Sequence, residues 1–118
     1  MSEHNDKIRE YAVKIAKYLD EKKALDVKVL NVFNSTVIAD YFVIAHTDSV
    51  PHLRALADDT EQEMGLKEGI APTHKEASDS WTLLDYDSII VHIFLKDARA
   101  EYKLEKLWAD ADEIKFSD

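Results

Sequence analysis

The 118-residue sequence contains no cysteine, two glycines and two prolines. Without cysteine the chain has no disulfide, no thiolate zinc site and no cysteine nucleophile. Its glycines, Gly65 and Gly69, do not form the glycine-rich loop that cradles phosphates in many nucleotide-binding enzymes. These absences exclude several classes of catalytic and metal site.

Long apolar runs are also missing, and so is a basic segment followed by an apolar run in the opening "MSEHNDKIREY". We therefore expect a cytoplasmic protein that does not engage a membrane. The net charge of −9 disfavours direct reading of nucleic acid, because phosphate binding depends on Lys and Arg. A basic protein partner fits this charge, and so does the alternative that acidity only keeps the protein soluble.

With 46% hydrophobic and 33% charged residues, the chain has the composition of a folded domain. Its length predicts one domain over residues 1–118. Apolar residues recur every three or four positions in residues 6–22, which predicts an amphipathic helix. Residues 24–33 alternate between apolar and polar, and residues 41–45 are continuously apolar, so two strands follow, the second covered on both faces.

Further along, Ser49 and Pro51 are typical of the start of a second helix, which we expect to end at Gly65. Residues 66–80 predict a short edge strand followed by a loop. Residues 81–94 predict a hairpin that turns at Tyr86-Asp87, and Asp97 predicts the cap of a last helix that extends to Trp108. The order predicts an α/β (α+β) domain, with a mixed five-stranded sheet and flanking helices.

The hairpin carries the strongest candidate for catalysis. Asp85 and Asp87 form a D-x-D pair that could share a strand face and bind Mg²⁺ for nucleotidyl transfer. Phosphate transfer also needs a cradle of amides or basic groups, which the sequence lacks. We therefore expect no enzyme and no cofactor, and interpret the pair as a solvated turn or an acidic knob that binds a partner.

The histidines do not form a recognisable catalytic or metal set. His92 lies in an apolar strand with no relay partner at fixed spacing, which favours a hydrogen-bonded sheet histidine over a general base. His46 and His52 lack a carboxylate at a spacing that would complete a zinc site. We expect no metal ion.

Three large aromatic residues lie close to the hairpin and in the last helix: Trp81, Tyr102 and Trp108. Aromatic side chains of this kind either fill a core or anchor a protein interface. The sequence alone leaves both roles open for each of them.

Three segments carry a resemblance to a known family: "ADYFVI" at residues 39–44, "LAD" at residues 56–58 and "WTLLDYDSIIVHIFLKDARAEYKLEKLWADA" at residues 81–111. The chain resembles the ribosomal silencing factor family, RsfS, also called Iojap. The likeness runs from about Leu25 to Ala111. It implies a nucleotidyltransferase-like fold without the catalytic motifs.

The resemblance also implies a function. The protein would bind large ribosomal subunit protein fourteen at the inter-subunit face, block association of the subunits and so repress translation under nutrient limitation, with a homodimer as a further expectation. In this setting the predicted partner-binding residues are Trp81, Asp85, Tyr86, Tyr102, Glu105, Lys106 and Trp108. Tyr102, Glu105 and Lys106 would form one ridge of the last helix.

The sequence departs from the usual family pattern at a few positions. Thr47 stands in place of a glycine, Pro51 in place of an arginine, and His74-Lys75 in place of a Glu-Gly pair. Asp87 occupies a turn position where the family often has glycine or another small residue. Two other functions stay open at this point: a Mg²⁺-dependent nucleotidyltransferase that uses Asp85 and Asp87, and a generic dimeric protein-interaction domain.

Overall fold

The computed structural model describes residues 3–103, 106 and 108–116. The helices in this part of the chain are α1 (Glu3–Glu21), α2 (Val50–Glu68) and α3 (Lys96–Tyr102). The strands are β1 (Leu25–Asn31), β2 (Tyr41–Thr47), β3 (His74–Ala77), β4 (Trp81–Asp85), β5 (Ile89–Leu95) and β6 (Asp112–Ile114). The predicted mixed α/β architecture is confirmed.

The strands form one mixed sheet in the order β3-β4-β5-β2-β1-β6. The pair β2–β5 is parallel, with Tyr41 opposite Ile89 and Thr47 opposite Leu95, and the other pairs are antiparallel. The hairpin β4–β5 is confirmed. The sheet has six strands in the described residues and not five, because the short β6 pairs with β1 through Val29 and Ile114.

One face of the sheet, which we call the helix-covered face, packs against α1 and α2. Helix α1 lies over β1 and β2, and α2 lies over β4, β5 and β2. The core on this side is mainly aliphatic, and its fully buried members include Ile15, Leu19, Val43, Leu53 and Ile93. The stripe predicted for the first helix is thus the stripe that faces the sheet.

The predicted start of α2 is confirmed, and its predicted end is wrong. The Ser49 hydroxyl accepts a hydrogen bond from the His52 N–H at 3.2 Å, and Pro51 lies in the first turn. The helix continues through Gly65 and ends at Glu68, where Gly69 adopts a left-handed φ of 69° and its N–H donates to the Met64 carbonyl. Gly69 therefore supplies the stop signal, because a glycine takes this conformation without a Cβ penalty.

Helix α3 also differs from the prediction. Leu95 stands at its N-cap without a side-chain hydrogen bond, and Asp97 lies inside the first turn, so the predicted Asp97 cap is wrong. The helix ends at Tyr102, since Lys103 adopts a left-handed φ of 52° and its N–H donates to the Arg99 carbonyl. The predicted continuous helix from Asp97 to Trp108 is therefore interrupted at Lys103.

Candidate functional site

The other face of the sheet carries a cluster of aromatic side chains that includes both tryptophans, and we call it the aromatic face. Its sheet residues are Phe42, Trp81, Leu83, His92 and Phe94, and Tyr102 and Trp108 pack onto it from the segment after β5. Period-2 alternation along β4 and β5 places these strand residues on one side. Helix α3 covers part of this face, over β5 and β2.

Trp81 is the centre of the cluster. Its ring stacks on Phe94 with centroids 5.1 Å apart and on His92 at 5.6 Å, and Tyr102 tilts against it at 5.1 Å. Trp81 is half-buried, whereas Tyr102 is 49% exposed. The two rings therefore both support the domain and present aromatic surface to solvent, which is the usual character of an interface anchor.

His92 holds the Trp81 indole in place. The indole N–H donates to His92 Nδ1 at 3.3 Å, so the neutral imidazole carries its proton on Nε2. Nε2 has no hydrogen-bond partner in the part of the chain that the structure describes. Burial lowers the pKa of His92 to about 4, which keeps the ring neutral at physiological pH. The predicted role of a hydrogen-bonded sheet histidine is confirmed.

Trp108 faces the opposite end of the same cluster. Its ring meets Phe42 edge-to-face with centroids 5.4 Å apart, and the side chain is half-buried. Trp108 therefore covers part of the aromatic face, and the rest of its side chain is exposed to solvent.

A groove of about 290 Å³ runs beside Trp81. Its lining residues are Glu76, Ala77, Ser78, Trp81 and Leu83. Glu76 lies opposite Leu83 in the β3–β4 pair, so an exposed carboxylate borders the half-exposed leucine. Leu83 and Glu76 were missed as candidate residues, although the alternation that starts at Trp81 places Leu83 on the same face.

Asp85 and Asp87 do not form the predicted D-x-D pair on a strand face. Asp85 ends β4, and its Oδ1 accepts a hydrogen bond from the Asp87 N–H at 2.8 Å. Asp87 lies in the turn with a left-handed φ of 73°. The carboxylate of Asp85 thus holds the turn, and the backbone at Asp87 adopts a left-handed conformation that glycine would take without a Cβ penalty.

The remaining predicted residues fall in different places. Asp85 shares the strand face of Trp81 and Leu83, whereas the Tyr86 ring packs toward the helix-covered face. Burial raises the pKa of Tyr86 to about 12, with the charge of Glu61 adding to the effect. Lys106 is exposed, and its N–H donates to the Lys103 carbonyl. Glu105 lies outside the described residues, and because α3 ends at Tyr102 the predicted helical ridge is wrong.

Two of the residues that depart from the expected family pattern, Thr47 and Lys75, have local structural roles. The buried Thr47 donates its hydroxyl to the Ser49 carbonyl at 3.0 Å. Lys75, on β3, forms ion pairs with Asp58 at 3.0 Å and Glu61 at 3.1 Å, which connect the edge strand to α2. The Lys75 ion pairs thus fasten the border of the sheet that carries the groove.

His46 and His52 do not meet. His46 Nδ1 lies 2.8 Å from the Arg99 guanidinium, and His52 Nε2 lies 2.9 Å from the Lys22 carbonyl. Burial and the Arg99 charge lower the pKa of His46. The described residues contain no group of three or more His, Asp or Glu side chains arranged to hold a metal ion. Within the same residues, no helix is long and apolar enough to cross a membrane.

Residues 5–118 match the family model described as "Ribosomal silencing factor during starvation", RsfS. The chain belongs to the RsfS family. It is 38% identical over 101 residues to the ribosomal silencing factor RsfS of Halalkalibacterium halodurans, covering 83% of this chain and 85% of the relative. It is 37% identical over 94 residues to RsfS of Bacillus subtilis, covering 78% and 79%.

The family extends to organelles and to solved structures. The mouse protein named "Mitochondrial assembly of ribosomal large subunit protein 1" is 33% identical over 94 residues, covering 76% of this chain and 41% of that protein. A crystal structure from Chromobacterium violaceum shares the fold with a TM-score of 0.78 at 25% identity, covering 92% of both chains. A structure from Bacillus halodurans has a TM-score of 0.73 at 31% identity, covering 93% and 98%.

Proposed function

We propose that this protein is a cytoplasmic ribosomal silencing factor that binds large ribosomal subunit protein fourteen at the inter-subunit face. A protein bound there sterically blocks the small subunit and represses translation under nutrient limitation. Membership of the RsfS family supports the ribosomal role, and the relatives' names describe regulation of the ribosome and not turnover of a substrate.

The observation that carries the binding mode is the half-exposed aromatic cluster of Trp81 and Tyr102 beside the groove. Aromatic anchors with a polar border are typical of the centre of protein interfaces. Glu76 and Asp85 border the same face, and the net charge of −9 suits a basic ribosomal protein. Action by steric exclusion requires neither a cofactor nor a metal ion.

The proposed contact set therefore keeps Trp81, Asp85 and Tyr102 and adds Leu83 and Glu76. Trp108 packs on the same face against Phe42, and Glu105 and Lys106 remain sequence-based candidates. Tyr86 would act through the turn it supports, because its ring packs toward the helix-covered face.

The test is sedimentation of the pure protein with purified large subunits, followed by addition of small subunits. We expect co-sedimentation and loss of subunit joining. Tyr102→Ala should weaken binding by about 1–3 kcal/mol, because an exposed aromatic anchor is removed with little loss of core. Free joining at saturating protein would contradict the proposed function.

A matched control is Tyr18→Ala, which removes a half-buried tyrosine from α1. Tyr18 lies on the helix side of the domain, so the same substitution there should leave subunit binding unchanged. Equal losses in both variants would mean that the aromatic face is not the contact surface.

Self-association is a second candidate property. Strand β3 is an edge of the sheet, and all four of its residues are exposed. Exposed edges can pair with another chain. Light scattering with and without large subunits would show whether a homodimer forms and whether it competes with ribosome binding.

A further inference from the structure

The connection between β1 and β2, residues 32–40, exposes three large apolar side chains. Phe33 is 54% exposed, Val37 104% and Ile38 62%. Val32 and Ala39, near the two ends of this connection, are buried in the core beneath the aromatic face. Surface apolar groups clustered in this way mark interaction sites more often than isolated ones do.

Hydrogen bonds hold this connection in shape. The Val32 N–H donates to the Asp40 carbonyl at 2.8 Å, the Thr36 N–H to the Val32 carbonyl at 3.1 Å, and the Ile38 N–H to the Thr36 hydroxyl at 3.1 Å. The apolar side chains are thus presented on a closed loop and do not fold back onto the domain. We call residues 33–38 the apolar loop.

Several carboxylates lie at the same end of the sheet as the apolar loop. The N–H groups of Asp40 and Tyr41 donate to the Ser88 carbonyl, which joins the loop to the hairpin turn. Pairing of His74 with Asp85 and of Asn31 with Asp112 brings residues 70–73 and 109–111 to the same end. The acidic residues there are Asp40, Asp85, Asp87, Asp110 and Asp112.

The connecting segments at this end, residues 32–40, 70–73, 86–88 and 109–111, contain no Lys or Arg. Arg9 of α1 reaches this end from the helix side, where its charge acts on the Tyr41 hydroxyl. An apolar loop with an acidic border is repelled by anionic lipid and by nucleic acid. A second copy would bring the same carboxylates against themselves, which costs binding energy.

We infer that the apolar loop is a second docking element, which inserts Val37 and Ile38 into an apolar depression on a basic protein surface of the large ribosomal subunit. The inference rests on the proposed function. The loop is continuous with the aromatic face, since Val32 and Ala39 share a core cluster with Phe42, against which Trp108 packs. A single bound orientation can therefore engage both surfaces.

The test compares the double variant Val37→Ser, Ile38→Ser with the wild-type chain in sedimentation with purified large subunits. We expect affinity to fall by at least about tenfold, because two aliphatic side chains lose their burial on binding. The melting temperature should not change, since both side chains are exposed in the free protein. Leu66→Ser is the matched control, because Leu66 is 77% exposed and lies on α2, which packs on the opposite face of the sheet from the aromatic face.

A second variant tests the acidic border. Asp110→Lys places a cation beside the loop at an exposed position, and we expect weaker binding at low salt, with the difference shrinking as salt rises. An effect that does not depend on salt would contradict a basic partner.

The outcomes separate the two proposals. If wild-type protein binds the subunit and the loop variant binds equally well, the docking loop is overturned and the proposed function stands. If wild-type protein does not bind, both fall. Two further results overturn the loop's assignment: a dimer lost only in the loop variant with subunit binding unchanged, or flotation with phosphatidylserine vesicles that the loop variant abolishes.

Discussion

The two faces of the sheet differ in how they are covered. The helix-covered face is closed by two helices of 19 residues each, over a mainly aliphatic core. The aromatic face is covered by the seven-residue α3 and by Trp108, and it leaves Tyr102 and the edge of Trp81 accessible. One sheet thus combines a closed core with a face that has surface available for a partner.

The difference distinguishes residues that affect only the stability of the fold from residues that can also affect binding of a partner. Residues such as Leu53 and Ile93 have no exposure and can act only through the folded state. Trp81 and Leu83 are half-exposed, so part of each side chain packs on the domain and the rest is available to a partner. The comparison between the faces can be tested with one substitution on each.

Leu53→Ala should produce the largest loss of stability. Leu53 has no exposure and packs between α2 and the sheet, so its truncation should lower the free energy of unfolding by about 2–5 kcal/mol. Urea unfolding followed by circular dichroism measures this loss. Binding of the folded fraction to large subunits should be unchanged.

Leu83→Ala is its counterpart on the aromatic face. The side chain is half-exposed, so we expect a smaller loss of stability, at most about 1.5 kcal/mol, with a clear loss of subunit binding. The contrast between the faces would be wrong if Leu53→Ala and Leu83→Ala shifted stability and binding in the same proportion.

The next effect concerns pH and the aromatic face. Burial lowers the pKa of His92 to about 4 in the folded protein. As the pH falls below 6.5, the His92 imidazole therefore takes up a proton in the unfolded chain but stays neutral in the folded one. Stability should therefore fall with decreasing pH, by about 2 kcal/mol between pH 7 and pH 5 from this group. The lowered pKa of His46 acts in the same direction.

His92→Phe isolates that contribution, because the variant lacks the titrating group. The variant should be less stable at pH 7, since the Trp81 N–H loses its acceptor, and its stability should depend less on pH. Urea midpoints at pH 7, 6 and 5 give the comparison. Parallel pH profiles for the two proteins would assign the dependence to groups outside the aromatic face.

The smallest effect lies in the turn between β4 and β5. Asp87→Gly should raise the free energy of unfolding by up to about 1 kcal/mol, because glycine adopts the left-handed φ of 73° without strain. Asp87→Ala keeps the Cβ and should lower it instead. An unchanged unfolding midpoint in both variants would mean that the turn backbone carries no strain.

Much of the fold could be predicted from local patterns. The stripe of α1, the Ser49 cap of α2 and the hairpin of β4 and β5 each depend on neighbouring residues, and each was predicted correctly. The family resemblance came from the block at residues 81–111, whose hairpin the structure confirms. The prediction was wrong where two nearby residues carried the same local signal. Gly65 and Gly69 are both typical of a helix end, and α2 ends at Gly69.

The candidate site was less predictable. Trp81, Asp85 and Tyr102 could be selected from the sequence, but their separation from Tyr86 follows from strand parity together with the packing of the turn. Strand β6 has three residues, of which two are exposed, so it carries no pattern that distinguishes it from a loop. Its pairing with β1 depends on a contact between residues more than 80 positions apart.

By itself, the sequence determined the composition, the acidic charge, the absence of thiol and phosphate-loop chemistry, and the faces on which alternating side chains lie. The tertiary structure decided that α3 ends at Lys103, that the Trp81 indole donates to His92, and that the apolar loop lies at the same end of the sheet as the carboxylates of the hairpin turn and of residues 110–112. The physical reason is the separation along the chain of the residues that interact. Propensity and periodicity act between neighbours, whereas these features depend on packing between segments that are distant in the chain.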